Sequence, residues 1–451
     1  MLFKLISTFI SAIVGFYINL YFPLSIGIES FYTFSILMLF SNKFFEFFDI
    51  GSSATAFYIV IENKDNKPIV NTTQLSYVLF SFFALILLVI SLLSYNFLFE
   101  KNIQIQAILF GATYFYFIWI SMVFTKFSDA LDLTKKSEIL RIINKFSIFL
   151  ILISFDLLAI EITLNIFFIF GSIVFLCSSI LYIKLLKIKF IFTFKNIFLN
   201  LINLFKRSKS LTQSNLIIII VSAFDIYLLS GLIDKLGISN FNFFTQIGGV
   251  IYILSPILVP IFTRQYSTSK NEKILFKQIS YILLISTLLF IPIAELLCSF
   301  VDKNSYFNEY YNLVYIVVIN FSVLVFIRFL TNVYMLTGKD EKHKIISISV
   351  HLMSLFVSLI LFYQDSLNSL TVFTKYLTFN SIWFFLLINK GSVSKKYLLD
   401  IIIIIIPYLI TILFFELTFL SSIILSIIYL VLIFLKIINF SVLEIKSLFK
   451  Y

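Results

Sequence analysis

Apolar runs of about the length that crosses a bilayer, roughly 20 residues, recur along this 451-residue chain with only short polar breaks between them. Fourteen such runs can be drawn, at approximately 3–22, 31–60, 73–98, 104–125, 145–162, 163–186, 214–233, 241–263, 276–299, 311–335, 345–363, 367–388, 397–415 and 417–437. Each is expected to be a helix, which satisfies its own backbone in lipid. The cuts between runs 5 and 6 and between runs 13 and 14 rest on Glu161 and Glu416 alone. No polar stretch is long enough to fold by itself, so function is expected between helices or on short loops. The longest clear outer loop is "VDKNSYFNEYYN" near residue 305. That argues against lipid-dependent glycosyltransferases and polysaccharide polymerases, which carry larger outer loops with acidic motifs.

Composition agrees with the pattern. Hydrophobic residues make up 60% of the chain and charged residues 13%, against about 25% charged in an ordinary soluble domain, and the mean hydropathy is +1.04. Of the 34 Lys and Arg, three fall on outer loops (Lys101, Lys235, Lys303) and three lie well inside runs (Lys43, Arg328, Lys375). The remainder lie at the termini, on inner loops or at the inner ends of runs, which places both ends in the cytoplasm. The net charge of +11 follows from this bias and needs no nucleic acid. The basic segment "KLLKIKFIFTFKNIFLNLINLFKRSK" ahead of run 7 is expected along the headgroups as an amphipathic linker. The first run, with Lys4 and no small-residue cleavage site, reads as a retained anchor. Cys177 and Cys298 lie within runs, so neither a disulfide nor thiol chemistry is expected.

Two matches reveal internal repetition. "GIESFYTFS" from Gly27 and "GISNFNFFT" from Gly237 both fit G-I-x-x-F-x-x-F-[ST] and begin 210 residues apart, in the outer turns before runs 2 and 8. "LTKKSEILRII" from Leu133 and "LTGKDEKHKII" from Leu336 are 203 apart, on the inner loops after runs 4 and 10. A shift of six runs preserves orientation. The chain therefore predicts two parallel six-helix lobes about a pseudo-two-fold axis along the membrane normal, as in some secondary transporters. The expected layout is an N-lobe at 1–186, the linker at 187–213, a C-lobe at 214–388, and two further helices with a cytoplasmic tail at 389–451.

Ionisable groups inside runs cost roughly 2.5–3.5 kcal/mol near the helix centre and so point to a wet cavity or a partner. Run 2 carries "NKFFEFFDIGSS", placing Lys43, Glu46 and Asp49 on one arc of a helix. This stripe is either self-neutralising, with Lys43 paired to Glu46, or the wall of a hydrated cavity. Asp225 lies midway along run 7 and suits coupling or gating. Arg328 in run 10 and Lys375 in run 12 add positive charge suited to phosphate, with snorkelling toward headgroups as the plainer reading for Arg328. Asp156 and Glu295 read as interfacial, His351 as a packed group or a proton carrier, and His343 as a loop residue. Pro256, Pro260, Pro292 and Pro407 are candidate bends, and Gly248 permits close packing. There is no P-loop, no clustered set of metal ligands and no nucleophile with a base at usable spacing.

Three stretches resemble the polysaccharide transporter families of the MOP superfamily, most closely the bacterial O-antigen flippases. They are "FFDIGSSATAF" in run 2, "FDIYLLSGLIDKLGISNFNFFTQIGGVIYILSPILVPIF" over runs 7 and 8, and "LTGKDEKHK" after run 10. The resemblance implies a non-enzymatic, monomeric carrier that moves undecaprenyl-pyrophosphate-linked oligosaccharide from the inner to the outer leaflet. It further implies alternating access reset by an H+ or Na+ gradient, with a polysaccharide polymerase and a chain-length regulator as partners. By motif position it carries over Asp49 and Asp225. Lys43, Arg328 and Lys375, as cavity cations, and Glu46, beside Asp49 and Asp225 in coupling, rest on the charge argument. Two other readings stay open: a multidrug or small-cation antiporter, which would need an acidic cavity, and a membrane polymerase or ligase, which would change the glycan covalently.

Overall fold

The computed structural model describes residues 2–49, 52–158, 160–189, 199–202, 206, 216–226, 228, 235–252, 272–336, 339–390 and 427–428. Among them the regular structure is helical throughout, and six helices are long and apolar enough to cross a membrane. The protein is an all-α, multi-pass membrane protein. Predicted run 13, run 14 apart from residues 427–428, the tail, Pro256, Pro260, Pro407 and most of the 187–213 segment lie outside the described residues, as does the side chain of Asp156.

The first run is α1 (Leu2–Phe16), which passes through a π-helical turn at Tyr17–Tyr21 into α2 (Phe22–Ile26). Gly27 then stops it, with φ at +133°, in the region that favours glycine. Its N–H reaches Leu24 O at 3.0 Å, and its carbonyl accepts from Phe31 N at 3.0 Å to start α3 (Ile28–Asp49). The sequence predicts one helix over 31–60; α3 and α4 (Ser52–Glu62) lie within it on either side of residues 50 and 51, which lie outside the described residues. Asp49 Oδ1 accepts from Ser53 N at 2.7 Å.

The next four helices fall on predicted runs 3 to 6: α5 (Lys67–Leu98), α6 (Ile105–Ala130), α7 (Thr134–Leu157) and α8 (Leu164–Leu186), but α7 begins 11 residues before predicted run 5, within the stretch expected as an inner loop. Asn66 and Thr163 cap α5 and α8, and the short break at Glu161 lies where the sequence places it. Beyond them come α9 (Leu216–Ile226), α10 (Lys235–Tyr252), α11 (Glu272–Val301), α12 (Leu313–Leu336), α13 (Asp340–Tyr363) and α14 (Ser369–Lys390). Pro292 sits inside α11.

The packing divides the chain into two compact units, Met1–Gln246 with Lys344–Val372, and Ile247–His343 with the described residues from Phe373 on. In the first unit α6 is the central post, packed against α3, α4, α5, α7 and α8. Its buried face is aromatic, with Phe45 of α3 stacked on Trp119 at 4.6 Å and Tyr114 between Phe167 and Phe168 of α8. The inner-loop repeat "LTKKSEILRII" forms the first turns of α7 and ties it to α1. Buried Glu138 takes the Ser7 hydroxyl and pairs with Arg141 at 2.5 Å, Arg141 reaches Thr8 at 2.9 Å, and Lys145 donates to Ser11 O at 2.6 Å.

In the second unit α11 packs on α12, and Gly248 of α10 faces Val317 of α12 so closely that a Cβ would strike it. Small residues let membrane helices approach in this way. Gly248→Val is expected to cost about 1–3 kcal/mol through overpacking, read as a lower melting temperature of the purified protein beside an unaffected Gly249→Val, a position with open space.

Candidate functional site

The two copies of the Gly-Ile-Phe-Phe motif meet in the first unit. Lys235 Nζ lies 3.0 and 2.8 Å from the two carboxylate oxygens of Glu29, Asn242 Nδ2 donates to Ser35 Oγ at 2.9 Å, and Gln246 Nε2 approaches Met38 Sδ at 3.7 Å. The partners advance together along the chain, so α3 and α10 run side by side in the same direction, as a parallel repeat requires. Ser35 and Asn242 are fully buried, whereas Glu29 and Lys235 are exposed at the Gly27 end. A dry hydrogen bond under a surface ion pair makes a closed seam.

Further along α3 the predicted stripe divides. Lys43 Nζ contacts Glu46 Oε2 at 2.6 Å, an i, i+3 pair with the lysine side chain 25% and the glutamate 50% exposed. Lys43 also borders a groove of about 600 Å³, within the usual range of small-molecule pockets. The groove is otherwise almost entirely apolar, walled by Phe40, Phe44 and Phe47 of α3, Phe99 at the end of α5, Phe224 of α9 and Phe362 of α13. Among its described lining residues Lys43 is the one ionisable group.

Asp49 does not face this groove. It accepts from Ser52 Oγ at 2.8 Å, Ser53 Oγ at 2.5 Å and Tyr77 OH at 2.6 Å, with Lys126 Nζ at 4.0 Å. Lys126 in turn donates to Ser53 Oγ at 2.6 Å. The carboxylate thus joins α3, α4, α5 and α6. Tyr77 and Lys126 were not singled out by the sequence. Lys126 falls one residue past the predicted end of run 4, and a phenol inside an apolar run carries no charge signal.

Asp225 is fully buried in α9, where Ser358 Oγ of α13 donates to its Oδ1 at 2.6 Å. Its neighbours Ala223, Phe224 and Ile226 line the groove, so the carboxylate and the groove share one short helix. In the same unit, His351 is buried and donates from Nδ1 to Ser347 O at 2.8 Å.

Arg328 and Lys375 belong to the second unit. Arg328 is exposed on α12, donating to Tyr252 OH at 2.6 Å with its guanidinium 5.6 Å from that ring. Lys375 on α14 is buried, 5.0 Å from the Tyr376 ring. Glu295 accepts from Tyr315 OH at 3.3 Å. His343, expected in a loop, is instead buried in the first turn of α13, where its Nε2 meets Thr331 Oγ1 at 2.9 Å. The polar run that reads as loop is the start of the helix, and packing beside Trp383 holds it there. The structure thus brings Lys43 and the neighbours of Asp225 to one groove, pairs Glu46 with Lys43, sets Asp49 in a polar cluster of four helices, and places Arg328 and Lys375 in the other unit.

No protein-family model matches the chain, and no curated protein sequence does. Solved structures do. A structure described as lipid II flippase MurJ in an inward closed conformation is 16% identical, with a TM-score of 0.72 over 97% of this chain and 99% of that one. An inward-facing multidrug resistance MATE family transporter of the MOP superfamily gives 12% identity and a TM-score of 0.60 over 88% and 94%. A MOP superfamily transporter from Pyrococcus furiosus gives 13% and 0.55 over 88% and 94%. At these identities the likeness concerns architecture, and the chain has the fold that these transporters share.

Proposed function

We propose that the protein is a membrane carrier of the MOP superfamily that flips an undecaprenyl-pyrophosphate-linked oligosaccharide, an O-antigen or capsule repeat unit, from the inner to the outer leaflet. Both termini are cytoplasmic on this reading, 1–186 and 214–388 form the two lobes, and an H+ or Na+ gradient resets the carrier. The observation that carries it is the ammonium of Lys43, the one ionisable group among the described residues that line an apolar groove inside a membrane-spanning fold. Such a surface suits a lipid with an anionic end and does not suit an organic cation. The structural likeness to a lipid II flippase supports the reading at the level of fold. Arg328 and Lys375 supply further positive charge for pyrophosphate and acidic sugars, and Glu46, Asp49 and Asp225 serve coupling or gating.

A deletion strain is expected to accumulate lipid-linked repeat units on the inner leaflet. Replacing Lys43, Arg328 and Lys375 singly with Ala should lower surface polysaccharide while protein levels hold. Unchanged polysaccharide in all three variants removes the cationic residues from the mechanism. Covalent change of the glycan by the purified protein alone would make it a polymerase or ligase instead.

A further inference from the structure

We infer that the loop between α11 and α12, residues 302–312, is a docking surface for the sugar part of the cargo on the outer side of the membrane. The inference rests on the flippase reading, which sets this loop outside, and it gives the glycan, as distinct from its lipid, a place on the protein. Among the described outer connections this one is the longest, and its sequence, "DKNSYFNEYYN", interleaves tyrosine with asparagine. It is also built. Asp302, buried at the end of α11, accepts from Tyr306 N at 2.9 Å on Oδ1, and from Phe307 N at 2.7 Å and Tyr311 OH at 3.4 Å on Oδ2. Its carbonyl takes Ser305 N at 3.0 Å. Phe307 is fully buried, and a 3₁₀ turn over Asn308–Tyr310 leads on toward α12. These contacts hold Ser305 at φ +58°, a left-handed conformation that glycine adopts freely and serine rarely. A plain connector has no need of it, whereas strain held in place by surrounding bonds is a mark of ligand-binding loops.

What the Asp302 hub leaves outside is mostly neutral. Asn304, Ser305, Asn308, Tyr310 and Asn312 are exposed, and Lys303 is the one exposed charge among the described side chains of the loop. That surface matches a sugar. A pyranose presents an apolar C–H face, which stacks on a phenol ring, and hydroxyls that both donate and accept, as a carboxamide does. Tyrosine with asparagine and serine is likewise the composition of binding loops that meet mixed polar and apolar surfaces with few torsions to freeze. An aromatic belt at the headgroups accounts for the tyrosines but gives the asparagines and the hub no purpose. A protein partner needs about 800 Å² from each side, more than one short loop supplies. Binding to so small and open a surface is weak, which suits a site that hands its cargo on.

The test uses the full-length protein in phosphatidylcholine nanodiscs. The probe is the repeat-unit oligosaccharide released from the surface polysaccharide of the strain used for the deletion, read by saturation-transfer NMR from protein to sugar protons and titrated for affinity. Tyr310→Ala is expected to weaken binding by about tenfold, the loss of one stacked ring, and Asn308→Ala by about threefold to tenfold, the loss of one hydrogen bond. Tyr310→Phe, which keeps the ring, should retain most of the affinity. Tyr363→Ala, which removes a more exposed tyrosine at the end of α13, should bind as wild type. Asp302→Asn should weaken binding with every tyrosine still present; if that variant does not fold, the surface variants carry the test. Wild-type affinity in Tyr310→Ala or in Asn308→Ala overturns the proposal. Equal losses in Tyr310→Ala and Tyr363→Ala also overturn it and make Tyr310 a membrane anchor. Displacement of the sugar by sugar-free undecaprenyl phosphate overturns it as well and makes the loop a lipid site. Absence of sugar binding beside inner-leaflet accumulation in the deletion strain removes the loop alone; sugar binding that Tyr310→Ala weakens, without accumulation, removes the transport reading alone.

Discussion

A protein with Ser35→Cys and Asn242→Cys, bridged by a short bifunctional thiosulfonate, is expected to lose essentially all transport and to regain it on reduction. The native thiols Cys177 and Cys298 are free and would be replaced by Ala first, because Cys177 is exposed and would react. The argument is mechanical. In alternating access by two parallel halves, the substrate leaves where the halves part, and the structure shows α3 and α10 joined at the Gly27 end by the Glu29–Lys235 pair and the buried Ser35–Asn242 hydrogen bond. The exposed ion pair contributes about 0–1 kcal/mol and the buried hydrogen bond about 1 kcal/mol. Both are small enough for a substrate or ion gradient to reverse, whereas a covalent bridge is not. Full transport by the bridged protein would show that the seam never opens. Each single-cysteine variant, treated with the same reagent, separates bridging from simple modification.

The second large effect is expected at Asp225. Asp225→Asn keeps the shape and can still accept from Ser358, yet it removes the charge; transport should fall at least tenfold while the melting temperature changes little. Asp225→Ala should lose transport and also the hydrogen bond from Ser358, about 0.5–1.5 kcal/mol, with the Ser358 hydroxyl keeping Ser354 O at 3.0 Å. Ser358→Ala should be intermediate, with the carboxylate retained and its 2.6 Å donor removed. Complementation of the deletion strain and thermal unfolding of the same preparations check these outcomes. Normal transport by Asp225→Asn would reduce this residue to a packing group.

Much of the fold was legible because in lipid a helix must be apolar over its whole length. Runs 3 to 6 and the break at Glu161 follow from that alone, and the repeat at Gly27 and Gly237 foretold two helices of the same direction that do in fact lie together. Local pairing was legible as well, since Lys43 and Glu46 are three residues apart and meet within one helix. What the sequence hid is tertiary. Asp49 reads as the third member of the stripe, but its partners Tyr77 and Lys126 lie 28 and 77 residues away, and they draw it into a polar cluster shared with α4, α5 and α6. Ser358, the donor to Asp225, is 133 residues distant and looks like any serine in an apolar run. The groove was invisible for another reason: with 58 phenylalanines in the chain, the few that line a cavity carry no mark against those that fill the core.

The seam between the repeats also sets a schedule for biosynthesis. Ser35 and Asn242 are separated by 207 residues, which at ~5–20 residues per second is roughly 10–40 s of translation. Throughout that interval α3 is already in the bilayer while the helix that will cover its hydroxyl has not left the ribosome. Its hydroxyl can wait cheaply, because Ser35 Oγ donates to Phe31 O one turn back at 2.7 Å. Lys43 and Glu46 can wait too, because each is the other's counter-ion as soon as the helix winds. The polar groups of α3 that need distant partners at the end are thus provided with near ones at the start, and the ion pair bordering the groove is, before it is anything else, what lets this helix enter the membrane alone.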